Sequence, residues 1–346
     1  MRSPCDDTGV TARILAAPDK FRGSATAAEV AGAIAAAVGP RVVVDATPMS
    51  DGGEGLLDVF AGGRRRTATV TGPLGEPVEA EWLHLGDVAV IEMARASGLA
   101  LVGGPERNDP LASTTTGTGE LIALAVRSGA REVVVGAGGS ATTDGGLGCV
   151  KVLSPQVRYR EVDITVAVDV RTTFVDAART FAPQKGATQA QVELLTRRLE
   201  RLADEYERQF GVDVRAMPGA GAAGGLAGGL AAAVGASVVP GFELVADLVD
   251  LDGRIEGADL VVTGEGLLDR TSFDGKVVGG VISMAVAAGV PVLVVAGAVD
   301  PDLDQEMVDG VTVVSLSSRF GEDRSWDDTL RCIGDAVRQH IGGTAK

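Results

Sequence analysis

The chain has 346 residues, with 47 acidic against 31 basic side chains and a formal net charge of −16; this excludes nucleic-acid binding through a broad basic surface, which needs clustered Lys and Arg. Hydrophobic residues make up 45%, aromatics only 3%, and the 48 glycines exceed the usual share of about 7%, so the length suits two domains with cores of Val, Leu and Ala, as in buried parallel sheets. Three cysteines without CxxC spacing and two histidines exclude a Cys/His zinc site, and no apolar run reaches the ~18 residues of a membrane span, so we expect a reducing, cytoplasmic setting with no export signal, no nucleic-acid partner and no membrane partner.

From Ala12, Arg13-Ile14-Leu15-Ala16-Ala17 predicts a buried strand and residues 27–38 an alanine-rich helix. Between them, Ala17-Pro18-Asp19-Lys20-Phe21-Arg22-Gly23-Ser24 puts an acid, two cations and a hydroxyl at a strand end, where Arg22 would grip a carboxylate or phosphate bidentately. The plainer reading makes Lys20 and Arg22 solvated charges, with Ser24 or Thr26 capping the helix. Arg41-Val42-Val43-Val44-Asp45-Ala46 predicts a second strand and residues 53–60 a short helix. The connecting Pro48-Met49-Ser50-Asp51-Gly52-Gly53-Glu54-Gly55 combines small residues with two acids. That pattern favours a ligand over Asp51 acting only as a helix cap.

The grammar then changes. Residues 67–85 alternate β-branched and polar side chains around Gly72-Pro73-Leu74-Gly75-Glu76-Pro77, an antiparallel hairpin. The apolar Val133-Val134-Val135 opens into Gly136-Ala137-Gly138-Gly139-Ser140-Ala141-Thr142-Thr143-Asp144-Gly145-Gly146. Glycines there let backbone N–H groups approach an anion, and Ser140, Thr142 and Thr143 add hydroxyl donors, so the loop reads as a phosphate cradle. The bland alternative is a tight strand-to-helix turn. A strand at 164–168 ends at Asp169, Lys185 lies in the loop Phe181-Ala182-Pro183-Gln184-Lys185-Gly186-Ala187, and a charged helix covers 189–209. Its stripe of Val192, Leu195, Leu199, Leu202 and Tyr206 is a packing face. A formal GxGxxG at Gly219, Gly221 and Gly224 follows only a weak strand, and Pro240 interrupts the place of its acidic partner strand, so a dinucleotide role is disfavoured.

From Ala258 the first pattern resumes: a strand at 260–262 followed by Thr263-Gly264-Glu265-Gly266, a loop Leu268-Asp269-Arg270-Thr271-Ser272-Phe273-Asp274-Gly275-Lys276, helix 277–288, strand 292–296, helix 302–308, strand 311–316 and helix 326–341. Together with the first two βα units these complete a five-stranded doubly wound parallel sheet of the flavodoxin-like kind. We therefore expect one discontinuous domain of residues 12–64 plus 256–346, with a second α/β domain, 65–255, inserted in it and carrying the glycine-rich loop. Neither Walker A spacing nor the protein-kinase signature set is present, so any phosphate chemistry runs on another scaffold.

The chain resembles the type I glycerate kinase family through Ala17-Pro18-Asp19-Lys20-Phe21-Arg22-Gly23-Ser24, Asp51-Gly52-Gly53-Glu54-Gly55, Thr116-Gly117-Thr118-Gly119-Glu120-Leu121-Ile122, Gly138 to Gly146, Pro183-Gln184-Lys185-Gly186-Ala187, Pro218-Gly219-Ala220-Gly221-Ala222-Ala223-Gly224-Gly225 and Thr263-Gly264-Glu265-Gly266 with Asp269, Thr271 and Gly275-Lys276, in the family's order. The resemblance implies a flavodoxin-like domain with an insertion, and transfer of the ATP γ-phosphate to D-glycerate with Mg²⁺, most often giving 2-phosphoglycerate. It also accounts for the glycine run without a dehydrogenase. Two departures cluster together: the stretch between Val152 and Asp163 is shorter than the family pattern, and the usual Cys-Asp-Val-x-Asn-Pro-Leu reads Val168-Asp169-Val170-Arg171-Thr172-Thr173-Phe174. They motivate two alternatives, a kinase of another small hydroxy acid and a catalytically silent ligand-binding regulator.

On this reading the partners are the small molecules ATP and glycerate, with a homodimer left open. Asp169 is the first choice for the base accepting the hydroxyl proton, with Asp51 and Asp144 as rivals. Arg22 and Lys20 would hold the glycerate carboxylate, in a substrate site that includes Asp19, Ser24, Asp51, Gly52, Gly53 and Glu54. Gly138, Gly139 and Ser140, with Thr142 and Asp144, would cradle the triphosphate faced by Lys185 and Lys276, and Asp51 and Asp269 would hold Mg²⁺ with waters. Closure of the two domains over substrate would exclude water as a competing acceptor.

Overall fold

The computed structural model describes residues 12–60, 62–159 and 161–344; Cys5, one of the three cysteines, lies outside the described residues. Eleven strands occur among them: β1 (Ala12–Ala16), β2 (Val42–Ala46), β3 (Arg64–Thr71), β4 (Pro77–Leu85), β5 (Val88–Glu92), β6 (Glu132–Gly136), β7 (Asp163–Val168), β8 (Ser237–Pro240), β9 (Leu260–Leu268), β10 (Val292–Val299) and β11 (Thr312–Ser315). No described helix is long and apolar enough to cross a membrane.

The chain divides into two compact units. One takes residues up to Asp51 and from Val245 onward, and the other is Gly52–Leu244. The first unit is a parallel five-stranded sheet ordered β2-β1-β9-β10-β11. Counted within the unit this is the order 2-1-3-4-5, the flavodoxin-like doubly wound arrangement, whose switch point lies between its first and third strands. Its core interleaves sheet and helix side chains: Ile14, Val262 and Val295 with Val30 and Ile34 of helix Ala27–Ala37 and Ile333 and Val337 of helix Thr329–Thr344. Thr26, rather than Ser24, caps the first helix through a capping box with Glu29.

The second unit has six strands in the order β3-β4-β5-β6-β7-β8. The hairpin β3/β4 and the pair β4/β5 are antiparallel, and β5 through β8 are parallel. Helix Gln189–Phe210 buries the expected stripe, with Val192, Leu195, Leu199, Leu202 and Tyr206 in one cluster with Phe174. Truncating one of those leucines to Ala would cost ~2–5 kcal/mol.

The unit boundaries fall at 51/52 and 244/245 instead of the expected 64/65 and 255/256. Packing explains both shifts. Helix Leu56–Val59 belongs to the second unit because buried Glu92 of β5 accepts hydrogen bonds from Gly55 N (3.0 Å) and Leu57 N (3.1 Å). Helix Leu251–Glu256 belongs to the first unit because Arg254 donates to both carboxylate oxygens of Asp45, at 2.6 and 2.7 Å. Three local expectations also change. β9 continues through Gly264-Glu265-Gly266, residue 302–308 helicity shrinks to a 3₁₀ turn at Gln305–Val308, and the expected helix 326–341 starts at Thr329 and runs to Thr344, preceded by two short helices, Leu316–Phe320 and Glu322–Asp327, with Gly321 at φ +88° between them.

Candidate functional site

In the first unit a cavity of about 550 Å³ opens at the carboxyl ends of β1 and β9, the place where doubly wound sheets bind ligands. The chain leaving β1 is clamped to β9: Ala17 N donates to Val262 O (2.8 Å) and Asp19 N to Gly264 O (2.9 Å). Met49 N donates to Pro18 O at 2.9 Å, which fixes the approach to Asp51. Asp19, Lys20, Arg22, Ser24, Asp51, Asp269 and Lys276 all line this cavity, so the structure brings together residues that stand far apart in sequence.

Lys20 Nζ lies 3.7 Å from Asp19 Oδ1 and 3.7 Å from Asp51 Oδ1, bridging the two acids. Asp19 is 8% exposed and accepts a 2.7 Å hydrogen bond from Lys20 N. Burial pushes its pKa up from 3.8 to about 6; Lys20 opposes the rise and Asp51 adds to it. Glu265, in β9, is pushed up from 4.5 to about 7, again mainly by burial, with the Ser272 hydroxyl opposing and Asp19 reinforcing. Its Oε1 is buried without a hydrogen-bond partner. Sequence reading placed Glu265 in a motif without giving it a role; its signal was an acid flanked by glycines directly after an apolar run.

Asp269 is committed to local structure. Its Oδ1 accepts from Thr271 Oγ1 (2.7 Å) and Ser272 N (3.1 Å), closing a capping box on the 3₁₀ turn Arg270–Phe273, and these bonds hold its carboxyl below the usual range. Lys276 Nζ donates to Thr271 Oγ1 at 3.0 Å and sits at the N-cap of helix Val277–Ala287. Arg22 is exposed, and Ser24 Oγ donates to Phe21 O at 3.3 Å. Ser317, Glu322, Ser325 and Trp326 form a wall that no motif announced.

The expected Asp51–Glu54 group splits at the unit boundary. Gly52 and Gly53 open the second unit as packing positions: a Cβ at Gly52 would stand 2.7 Å from Ala167 Cβ, and one at Gly138 would stand 2.6 Å from Gly53 Cα. Glu54 is exposed. Asp169 is exposed just beyond the C-terminal end of β7 and lines neither this cavity nor the one described next.

In the second unit the glycine-rich loop leaves β6, with Gly139 at φ +72° and Gly145 at +66°. Lys185 braces it from inside rather than facing open space: it is 3% exposed, and Nζ donates to Ser140 Oγ and Thr142 O, both at 2.7 Å. Burial pushes this ammonium down from 10.5 to about 7, with Asp144 pulling the other way. Asp144 is an organiser, since Oδ2 accepts from Thr115 N and Oγ1 (both 2.9 Å) and Gly148 N (3.1 Å), and Oδ1 accepts from Gly146 N (3.1 Å). The GxGxxG run packs on the same loop: Gly224 has φ +67°, and a Cβ there would lie 2.0 Å from Thr142 O. Gly221 shows the same need for close backbone contact, since a Cβ there would lie 2.3 Å from Thr173 O.

Beside this loop lies a cavity of about 490 Å³ lined by Thr114, Thr116, Thr143, Asp144 and side chains of helix Gln189–Phe210. Among the described residues no group of three or more His, Cys, Asp or Glu is arranged to hold a metal ion by itself. A Mg²⁺ ion therefore fits only as one completed by phosphate oxygens and water, the mode in which Mg²⁺ uses one or two carboxylates.

The chain matches the glycerate kinase family over residues 14–158 and 153–339. It is 38% identical over 341 residues to glycerate 2-kinase of Escherichia coli K12, covering 87% of this chain and 89% of that one. It is 38% identical over 329 residues to glycerate kinase of Bacillus subtilis 168, covering 84% and 86%. The crystal structure of a Salmonella typhimurium LT2 protein assigned as glycerate kinase 2 superimposes with a TM-score of 0.82 at 33% identity, covering 97% of this chain and 100% of that one. The chain belongs to the glycerate kinase family.

Proposed function

We propose that the protein transfers the γ-phosphoryl group of ATP to a hydroxyl of D-glycerate, giving 2-phosphoglycerate. The observation that carries this reading is the first unit's cavity, which sets Lys20, Arg22 and Lys276 among five carboxylates beside a buried acid, Asp19, with a pKa of about 6. Lys20 and Arg22 hold the glycerate carboxylate. Asp19, ionised at neutral pH, accepts the proton of the attacking hydroxyl as its oxygen bonds to the γ-phosphorus and the bond to the β-phosphate oxygen breaks. Buried Asp19 replaces exposed Asp169 as the base, because a base works best with a pKa near the working pH. Lys276 offsets charge that spreads over the transferring group.

The glycine-rich loop of the second unit takes the nucleotide phosphates, with Lys185 holding its shape. Asp51 and Asp269 are the carboxylates that would meet Mg²⁺; the capping bonds of Asp269 all fall on Oδ1, which leaves Oδ2 for that role. Mg²⁺ bound with the nucleotide neutralises phosphate oxygens and so lowers the cost of bringing them to a nucleophile.

The test is ³¹P NMR of the protein with ATP, Mg²⁺ and D-glycerate, repeated with lactate, tartronate and sugar acids. A new phosphomonoester resonance at the shift of 2-phosphoglycerate is the expected result; ATP left unchanged with glycerate would overturn the reading. Lys276→Ala removes a charge-assisted contact and is expected to lower kcat/KM by about 10–100-fold. Steady-state kinetics at equal thermal stability checks this, and an unchanged kcat/KM removes Lys276 from the scheme.

A further inference from the structure

The two cavities differ in charge. In the first unit's cavity acids outnumber cations, with five carboxylates against three basic groups. In the second unit's cavity the order reverses: Lys151, Arg198 and Arg201 face Asp144 and Glu205, and Asp144 is already saturated by four hydrogen bonds. On a chain of net charge −16, this is a local basic site of the kind an anion needs. Lys151 and Arg201 enter no ion pair among the described residues, and Arg198 donates to Leu111 O at 3.1 Å.

Two further observations bear on the ligand. The start of helix Thr116–Arg127 lies at this cavity but is already engaged, with Thr115 N on Asp144 Oδ2 (2.9 Å) and Thr116 N on Thr114 Oγ1 (3.2 Å). The Thr114 and Thr116 hydroxyls pair with each other at 2.8 Å, which leaves one hydroxyl hydrogen for a bound acceptor. Thr143 lines the cavity at 2% exposure, and its Oγ1 has no hydrogen-bond partner, a deficit that a bound acceptor would repair. Leu111 and Leu147 give the cavity an apolar side, and about 490 Å³ lies within the usual range for a small-molecule site.

We propose that this cavity binds a nucleoside polyphosphate, with its phosphates against the Thr143 hydroxyl and the Thr114–Thr116 hydroxyl pair, its charge offset by Lys151, Arg198 and Arg201, and its base against Leu111 and Leu147. The inference rests on the reading that ATP is the donor, and it places the nucleotide on the Thr143–Gly148 side of the glycine-rich loop instead of against Lys185. It also gives work to the Thr116 to Ile122 motif, which the resemblance singled out without a role.

The experiment is calorimetric titration of the intact protein with MgADP in the absence of glycerate, for the wild type, an Arg198→Gln/Arg201→Gln double variant and Thr143→Val. Loss of two screened charge contacts is expected to raise Kd for ADP at least about tenfold, and Thr143→Val to raise it severalfold, with glycerate binding and thermal midpoints unchanged. ADP affinity within twofold of wild type in both variants overturns the inference, as does a wild type that binds no ADP. Phosphoryl transfer followed separately by ³¹P NMR then shows whether the kinase reading survives that result. If Thr143→Val is misfolded, the exposed double variant alone decides.

Discussion

Replacing Asp19 with Asn is expected to lower kcat by about 10²–10⁴-fold, the usual contribution of a positioned general base, while KM for glycerate changes little. Asn keeps the shape of the side chain and an oxygen to accept the Lys20 N–H (2.7 Å in the native protein), so Lys20 and the turn before helix Ala27–Ala37 stay in place. What disappears is the group able to take a proton. The pH profile separates this from a positioning role. With the base required in its ionised form, wild-type kcat/KM falls as pH drops through the region of about 6 to 7 set by Asp19 and Glu265 together, two acids that influence one another and titrate as a pair. In the Asn variant the limb near 6 is lost along with the rate. A variant with native kcat, or one with a reduced rate that keeps the same acid limb, would remove Asp19 as base.

Much of this architecture was legible in the residues themselves. Short apolar runs followed by helical periods forecast the flavodoxin-like layer, because buried parallel strands need no alternation and announce themselves as continuous Val and Leu. The hairpin of β3 and β4 was equally plain from its turn residues, Gly72 to Glu76. β9 was read too short for a definable reason. Gly264-Glu265-Gly266 looks like loop punctuation, yet a Cβ at Gly264 would stand 2.0 Å from Val295 O, so that glycine is there to let two strand backbones approach.

The site was legible by residue type more than by role. Asp19, Lys20, Arg22, Asp51, Asp269 and Lys276 do line one cavity, but position along the chain says nothing about burial, and burial is what sets Asp19 and Glu265 apart from Asp169. Lys185 shows the same limit. A lysine in a glycine-bounded loop reads as solvated or ligand-facing, and only the acceptors Ser140 Oγ and Thr142 O, distant in sequence, account for its being enclosed. The wall of Ser317, Glu322, Ser325 and Trp326 stands on two short helices, Leu316–Phe320 and Glu322–Asp327, in a stretch before residue 326 whose sequence shows no helical period long enough to announce them.

The same buried groups give an unusual dependence of stability on pH, expected to differ between the two units of the ligand-free protein. In the first unit the folded-state values of Asp19 and Glu265 are raised, from 3.8 to about 6 and from 4.5 to about 7. The folded form therefore binds more protons than the unfolded chain between about pH 4 and 7, so stability is full at the acid end of that window and falls as pH rises through it. From pH 5 to 7 the loss amounts to about 3 kcal/mol. In the second unit the folded value of Lys185 is lowered from 10.5 to about 7. Here the unfolded chain binds the extra proton above pH 7, and stability rises with pH, by about 2 kcal/mol between pH 7 and 8.5. Cys149 and Tyr206, both raised by burial, reverse that trend at higher pH, so 8.5 is the useful upper limit. Urea unfolding at pH 5, 7 and 8.5 should place the stability minimum near neutrality. Glu265→Gln should flatten the acid side and raise stability at pH 8, and Lys185→Met should flatten the rise above pH 7. If Glu265→Gln lowers stability at pH 8, the acid carries its charge there at no cost and is held by partners rather than strained by burial. The region where the chain is least stable is then also where the carboxylate proposed as proton acceptor is ionised, which is the compromise expected when an active site keeps a buried acid ready for use.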